Sequence, residues 1–387
     1  MSEFRGGSVI TPRAVEYLHR YQYHGSDQSL LYKYILSPLA EKCLMFLPTW
    51  MAPNLVTTIG LSLTTASYLL LYFSVPGMVS GGSTPDWVFP AAALGLFVYQ
   101  TLDNMDGKQA RRTGSSSPLG LLFDHGCDAI NCCFGIVFVS CILDAGASLP
   151  LLAAIVLNQL VPFFFTTWEH YYTDELILPV INGPSEGVVL GVVCACLRGV
   201  YGVDLFSAPR EGLKGWTLGE FLMACSLVGV VLTVVKQSVL VALVRRKAGR
   251  GMMNPLKDSF WFVALVAVAG GWAFARPELF SAAPYMMVLL FSLLHVDMAV
   301  HLMVCHICNM VCRPFRPILI PFLLAVGNSF LPGGPLVGEE ALVLGFTVLT
   351  IVYETLYLYL VVSETSKALG IFVFKLGKRP DASKKVI

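Results

Sequence analysis

The chain predicts an all-α polytopic membrane protein: about ten transmembrane helices, a cytosol-facing site between helices 2 and 3, and an interfacial amphipathic helix ahead of them. Apolar residues make up 56% of the 387 and charged residues only 13%. Mean hydropathy is +0.69, far from the profile of a soluble domain. The apolar residues also gather into stretches of about 20, the length a helix needs to cross a bilayer.

The first 50 residues are too polar for a secretory signal, so the chain is expected to enter the membrane through its first span. Within them Leu30, Leu31, Tyr34, Ile35, Leu39 and Leu44 recur at helical spacing, interleaved with Lys33, Glu41 and Lys42. That pattern fits a helix on the membrane surface or one docked on the protein's own cytosolic face, and the two are compatible. Candidate spans follow at 54–75, 87–107, 119–143, 149–170, 186–203, 217–243, 258–275, 284–306, 317–332 and 340–364. Arg198 interrupts the fifth, and the ninth is short.

Loops 77–86, 144–150 and 332–340 carry no basic residue, whereas the alternate ones hold Lys108, Arg111 and Arg112, then Arg245, Arg246, Lys247, Arg250 and Lys257, then Arg313 and Arg316. The positive-inside rule therefore puts both termini in the cytosol. Lys375, Lys378, Arg379, Lys384 and Lys385 agree, and Arg210 and Lys214 run against it. The chain divides into a cytosolic part (1–50), a core of about six spans (51–243), later spans suited to a dimer interface and lipid access (244–370), and a basic tail (371–387). Most of the eleven cysteines lie in apolar stretches, which implies no disulfide framework. A net charge of +1 gives no basis for binding a nucleic-acid polymer.

Against this apolar background stand Asp103, Asp106, Gly107, Ala110 and Arg111, then Gly120, Asp124 and Asp128. One charged side chain near the bilayer centre costs at least about 2.5–3.5 kcal/mol, so four aspartates require a reason. Asp103 and Asp106 share a helix face, as do Asp124 and Asp128, and residues 112–118 read as a turn. Two antiparallel helices would thus bring four carboxylates together. Alone, such a cluster repels itself and takes up protons; two divalent cations would cancel its charge. An all-oxygen donor set favours Mg²⁺ or Mn²⁺, with Ca²⁺ as competitor, over zinc. Two ions on shared carboxylates suit phosphate chemistry, because they clamp a diphosphate and stabilise both oxygens of an in-line displacement. Gly107 and Ala110 leave room for a nucleotide beside the backbone, and Arg111 is placed to hold a phosphate oxygen.

This spacing, DxxDGxxAR then GxxxDxxxD, resembles the signature of the CDP-alcohol phosphotransferases at every fixed position. Residues 102–129, with GKQARR at 107–112 and FDHGCDA at 123–129, resemble the eukaryotic choline/ethanolamine (aminoalcohol) phosphotransferases, and so do 21–29, 50–57, 168–173 and 178–187. The resemblance covers the N-terminal half well, and the rest mainly through length and hydropathy. It implies that the hydroxyl of diacylglycerol attacks the β-phosphorus of CDP-choline or CDP-ethanolamine, giving the phospholipid and CMP, the final step of the Kennedy pathway. It also implies Asp103, Asp106, Asp124 and Asp128 as ligands of two Mg²⁺ or Mn²⁺ ions, and Gly107, Ala110, Arg111 and Gly120 along the CDP moiety. A homodimer in the endoplasmic reticulum or Golgi membrane is implied as well.

The attacking alcohol must lose a proton, which imidazole accepts near neutral pH. In this subfamily the histidine after the third aspartate, His125, resembles the general base; in the wider family the candidate is the last aspartate, here Asp128. An Asp128 committed to metal has less basicity to give, so His125 is favoured, and merely orienting Asp124 is its plainer alternative. Asn54 and Thr57 open the first span on one face, where the resemblance puts them near the phosphates, although Asn54 also suits a helix cap. Lys108 and Gln109 lie within the signature and either line the nucleotide or face solvent. Glu169, between Trp168 and Tyr172 in sequence, could balance a substrate ammonium with cation–π support; the alternative is a structural Glu in an aromatic belt.

His301, Cys305, His306, Cys308 and Cys312 read as packing rather than zinc, since no second cysteine pair follows at suitable spacing. Asp297 and His301, at i and i+4, suit an intramembrane polar pair on a lipid path. Intramembrane aspartates also mark ion-coupled transporters, the rival reading, but transport has no need of the Gly/Ala/Arg pattern between them.

Overall fold

The structure, a computed structural model, describes residues 9–80 and 84–378. Arg379, Lys384 and Lys385 of the basic tail lie outside the described residues. A short helix α1 (Pro12–Leu18) precedes the strand β1 (Gly25–Asp27) and the helix α2 (Ser37–Leu44), which continues a helical turn begun at Leu30. The long helices α3 (Pro53–Ser74), α4 (Val88–Thr113), α5 (Pro118–Ile142) and α6 (Leu149–Thr173) follow. After β2 (Leu176–Leu178) come α7 (Val188–Tyr201), the short α8 (Asp204–Ser207), α9 (Leu218–Lys247), α10 (Met253–Ala275) and the short α11 (Pro277–Ala282). The chain ends with α12 (Pro284–Ile307), α13 (Leu319–Ser329) and α14 (Glu339–Leu369).

Among the described residues eight helices are long and apolar enough to cross a membrane, α7 being counted with the helical turn Gly183–Gly187 that leads into it. To these α4 adds a ninth of sufficient length, 26 residues, whose apolar character is diluted by the aspartate signature. The ninth predicted stretch forms only the 11 residues of α13. At 1.5 Å per residue that is about 17 Å, short of the roughly 30 Å hydrocarbon thickness. Local sequence sets the helix ends: Pro53, Pro118 and Pro284 stand at first helical positions, where the missing N–H costs nothing. Thr217 and Glu220 form a reciprocal capping box at the start of α9.

The hub is α12. In its most apolar window 83% is buried, against 11% in α9, so α12 is sheathed by protein while α9 offers its side chains outward. Around α12 pack α5, α6 and α14, and α3 lies along α4. That last approach is close, because a Cβ at Gly60 would meet the Tyr99 ring at 3.1 Å.

The amphipathic segment before the first span docks on the protein itself and also leaves apolar side chains exposed. Leu36 and Ala40 are buried, whereas Leu30, Tyr34, Ile35, Met45, Phe46 and Trp50 are exposed, an apolar surface of the kind that beds into lipid. Its other side is tied to α4. Lys108 Nζ donates to Ser37 Oγ at 2.8 Å and Glu41 Oε1 at 2.9 Å, and Arg112 donates to the carbonyls of Leu44 and Leu47. The Lys108 hydrogen bond and charge hold the Glu41 carboxyl below its usual range.

Two long-range ties bring the early and late described segments against the helical bundle. β1 pairs in parallel with β2, Gly25 opposite Leu176. Asp27 accepts from Ser29 N–H, Asn182 Nδ2 and Ser185 Oγ, and Ser29 Oγ donates to Glu186 Oε1 at 2.5 Å. At the other end, Glu364 Oε2 accepts from the backbone N–H groups of Val9 and Ile10 at 2.8 and 3.0 Å. Residues 371–378 fold back so that Asn54 Nδ2 donates to the Val373 carbonyl and Phe374 meets the Phe123 ring edge-on.

Candidate active site

α4 ends at Gly114, whose φ of +63° provides the left-handed cap glycine adopts without strain. Three residues later Ser117 caps α5, its Oγ accepting from Gly120 N–H at 3.1 Å. This tight return brings the four aspartates together as the spacing predicted. Carboxylate oxygens of Asp103, Asp106 and Asp124 lie within 4.8 Å of one another. So do ligand atoms of Asp124, His125 and Asp128, and Asp124 is shared by both groups. Two adjoining centres on a common carboxylate are the arrangement a two-metal site requires.

The donor set fits the implied cations. Asp103 Oδ1 and Asp124 Oδ1 are buried with no hydrogen-bond partner, an expensive state for carboxylate oxygens that an oxygen-seeking divalent ion would relieve. Two of the other oxygens are positioned by neighbouring hydroxyls. Thr57 Oγ1, in the first turn of α3, donates to Asp106 Oδ2 at 2.5 Å. Tyr99 Oη donates to Asp128 Oδ1 at 2.7 Å. Tyr99 stands one helical turn before Asp103, the signal by which sequence reasoning could have found it.

His125 Nδ1 lies 3.6 Å from Asp124 Oδ2, too far for a hydrogen bond, and has no other partner. The imidazole borders a narrow apolar pocket walled by Leu122, Phe163, Thr167, Val300 and Met303.

Other predicted residues divide into two sets. A Cβ at Gly107 would meet only Arg111 Nη1, at 3.6 Å, and one at Gly120 only Ser117 Oγ and Asn54 Oδ1, at 3.7 and 3.9 Å. Packing within the protein does not demand glycine at either place. Arg111 is exposed beside Gly107, and Ala110 is half-buried on the same helix. Lys108 and Gln109 point elsewhere: Lys108 holds α2, and Gln109 Nε2 donates to the carbonyls of Pro48 and Met51.

Glu169 is buried on the side of α6 that faces Gln237 and Lys236 of α9. Thr166, one turn earlier on that side, accepts from Gln237 Nε2 at 2.8 Å. The adjacent face of α6, carrying Phe163, Thr167 and His170, is the one turned to the site, since 100° per residue separates the two. There the His170 ring lies 4.1 Å from the His306 ring. Tyr23 meets His170 edge-on, and Tyr21 Oη is 3.2 Å from His306 Nε2. Burial, with Tyr23 and Asp174 adjacent, pushes the Tyr21 phenol up. Sequence reasoning missed this aromatic layer, although the 21–29 stretch had already been singled out.

Asp297 does not pair with His301. Both of its oxygens are taken by Arg316, Nε to Oδ2 at 2.7 Å and Nη2 to Oδ1 at 2.6 Å.

A cluster of paired carboxylates where two long helices of an apolar bundle meet fits a membrane phosphotransferase. Comparisons agree. The family model for CDP-alcohol phosphatidyltransferases matches residues 50–185. Choline/ethanolaminephosphotransferase 1 of Arabidopsis thaliana is 34% identical over 96% of this chain and 99% of its own length. The choline/ethanolaminephosphotransferase 1 of Saccharomyces cerevisiae is 37% identical over 51% of this chain and 49% of its own. Ethanolaminephosphotransferase 1 of Mus musculus is 28% identical over 96% of both. The chain belongs to the CDP-alcohol phosphatidyltransferase family, and these comparisons give no support to an ion-coupled transporter.

Proposed function

We propose that this enzyme transfers phosphocholine or phosphoethanolamine from the CDP-alcohol to the hydroxyl of diacylglycerol, releasing CMP. The observation that carries the reading is the pair of carboxylate groups sharing Asp124, two of whose buried oxygens lack partners. Asp103, Asp106, Asp124 and Asp128 hold two Mg²⁺ or Mn²⁺ ions, which when bound supply charge neutralisation for the diphosphate and for the leaving CMP. Arg111 steadies a phosphate oxygen, while Gly107, Ala110 and Gly120 let the nucleotide lie against the backbone. Thr57 and Tyr99 fix the orientation of Asp106 and Asp128.

His125 takes the proton of the lipid hydroxyl. Its place beside the small apolar void supports this, as does the hydrogen bond that commits Asp128 to Tyr99. The distribution of basic residues supports a site facing the cytosol, consistent with a water-soluble nucleotide, in the endoplasmic reticulum or Golgi membrane. The outward apolar face of α9 and the later helices suit a homodimer.

Purified protein in detergent is expected to release CMP from a CDP-aminoalcohol only with diacylglycerol and Mg²⁺ or Mn²⁺ present. Turnover without divalent ions would sink the two-metal reading. His125→Ala is expected to lose turnover while retaining CDP-alcohol binding, and full activity in that variant would return the role to Asp128. Competition between CDP-choline and CDP-ethanolamine then sets the preference.

A further inference from the structure

A second group of metal-ligand side chains lies away from the aspartates, at the C-terminal end of α12. His301 and Cys305 stand at i and i+4 on that helix, and the chain beyond it turns back so that Cys312 joins them. Ligand atoms of all three residues fall within 4.8 Å of one another, and all three are buried. The third member is Cys312 rather than Cys308, so the Cys-xx-Cys spacing in the sequence concealed the group.

Its geometry matches a particular ion. Zinc bonds of about 2.3 Å to sulfur and about 2.0–2.1 Å to nitrogen, at a tetrahedral angle, put the two ligand atoms about 3.6 Å apart. Cys305 Sγ and His301 Nε2 are 3.6 Å apart. The other ring nitrogen, His301 Nδ1, lies 3.3 Å from Tyr357 Oη on α14, the kind of outer partner that fixes the orientation of a ligating imidazole. Cys312 is held through its backbone, whose N–H donates to Tyr171 Oη, while Tyr171 itself donates to the Met310 carbonyl.

We propose that His301, Cys305 and Cys312 form a structural zinc site that pins the 308–318 segment to α12. Two thiolates and a neutral imidazole select zinc over Mg²⁺ or Mn²⁺. Together with Zn²⁺ they carry no net charge, which suits a buried site.

The full chain, purified in detergent without chelator, is expected to carry about one tightly held zinc per protomer by elemental mass spectrometry. Cys305→Ser/Cys312→Ser should lose it, whereas Asp124→Asn should keep it, which separates this site from the aspartate cluster. A measurement on the unaltered protein guards against misfolding of the double variant. Alkylation of Cys305 and Cys312, followed by peptide mass spectrometry, should be blocked until a zinc chelator is added. Any of four results would overturn the proposal: no zinc in the wild-type protein, recovery of Cys305 and Cys312 as a disulfide, zinc retained by the double variant, or alkylation unaffected by chelator.

Discussion

Asp103, Asp106, Asp124 and Asp128 on one side of the bundle, and Asp297 with Arg316 on another, both place carboxylates deep among apolar helices, yet they resolve the cost in opposite ways. Asp297 is answered from within the chain. Arg316 takes both its oxygens, donates to Tyr353 Oη and lies over the Tyr357 ring. At the α4–α5 cluster only two of the carboxylates receive a hydroxyl, and two oxygens stay unpaired. A carboxylate answered internally builds the fold; one left to be answered from outside builds a site.

The comparison is broken most directly at the shared ligand. Asp124→Asn is expected to abolish turnover, well beyond the roughly 10–100-fold that loss of an outer-shell partner costs, without lowering the melting temperature measured in chelator. Removing one of several repelling carboxylates should if anything raise it. If Asp124→Asn melted as early as a core variant, the distinction between site and scaffold would fail.

At the other pole, Asp297→Asn strands Arg316 and should cost about 3–5 kcal/mol, read as a large drop in melting temperature. Replacing both partners with apolar residues should recover much of that loss. Tyr99→Phe removes only the hydrogen bond that orients Asp128 and is expected to lower turnover by roughly 10–100-fold, with little change in melting. Lys108→Met loosens α2 from α4 through a pair whose carboxylate is exposed, so only a small change in melting is expected. Its readout is faster proteolysis before residue 50 with CMP release largely kept.

What the sequence made legible follows from the range of the interactions. The aspartate cluster was readable because two helices and a Gly/Ser/Pro turn are local features, and antiparallel return is all that is needed to bring 103 near 124. Glu169 was misplaced because a Trp-Glu-His run does not say which face of α6 turns inward; one residue further, His170 occupies it. Asp297 was paired with the wrong partner because Arg316 reaches it across a loop whose path no periodicity describes. The approach of Cys312 to His301 and Cys305 depends on the path of the same loop. The short α13 was anticipated as a weak span but not as one of 11 residues, since apolar stretches extend beyond the helices they form.

The contact of Val9 and Ile10 with Glu364 has a consequence for how the protein is made. The first described residues are seated in part by α14, the last long helix, and the 21–29 stretch pairs with 176–187. A chain synthesised from its N-terminus must therefore hold its leading segment in waiting while the membrane helices are inserted. The aromatic layer beside the aspartates closes late, so a nascent chain interrupted before α14 would carry all four aspartates and still lack a finished site.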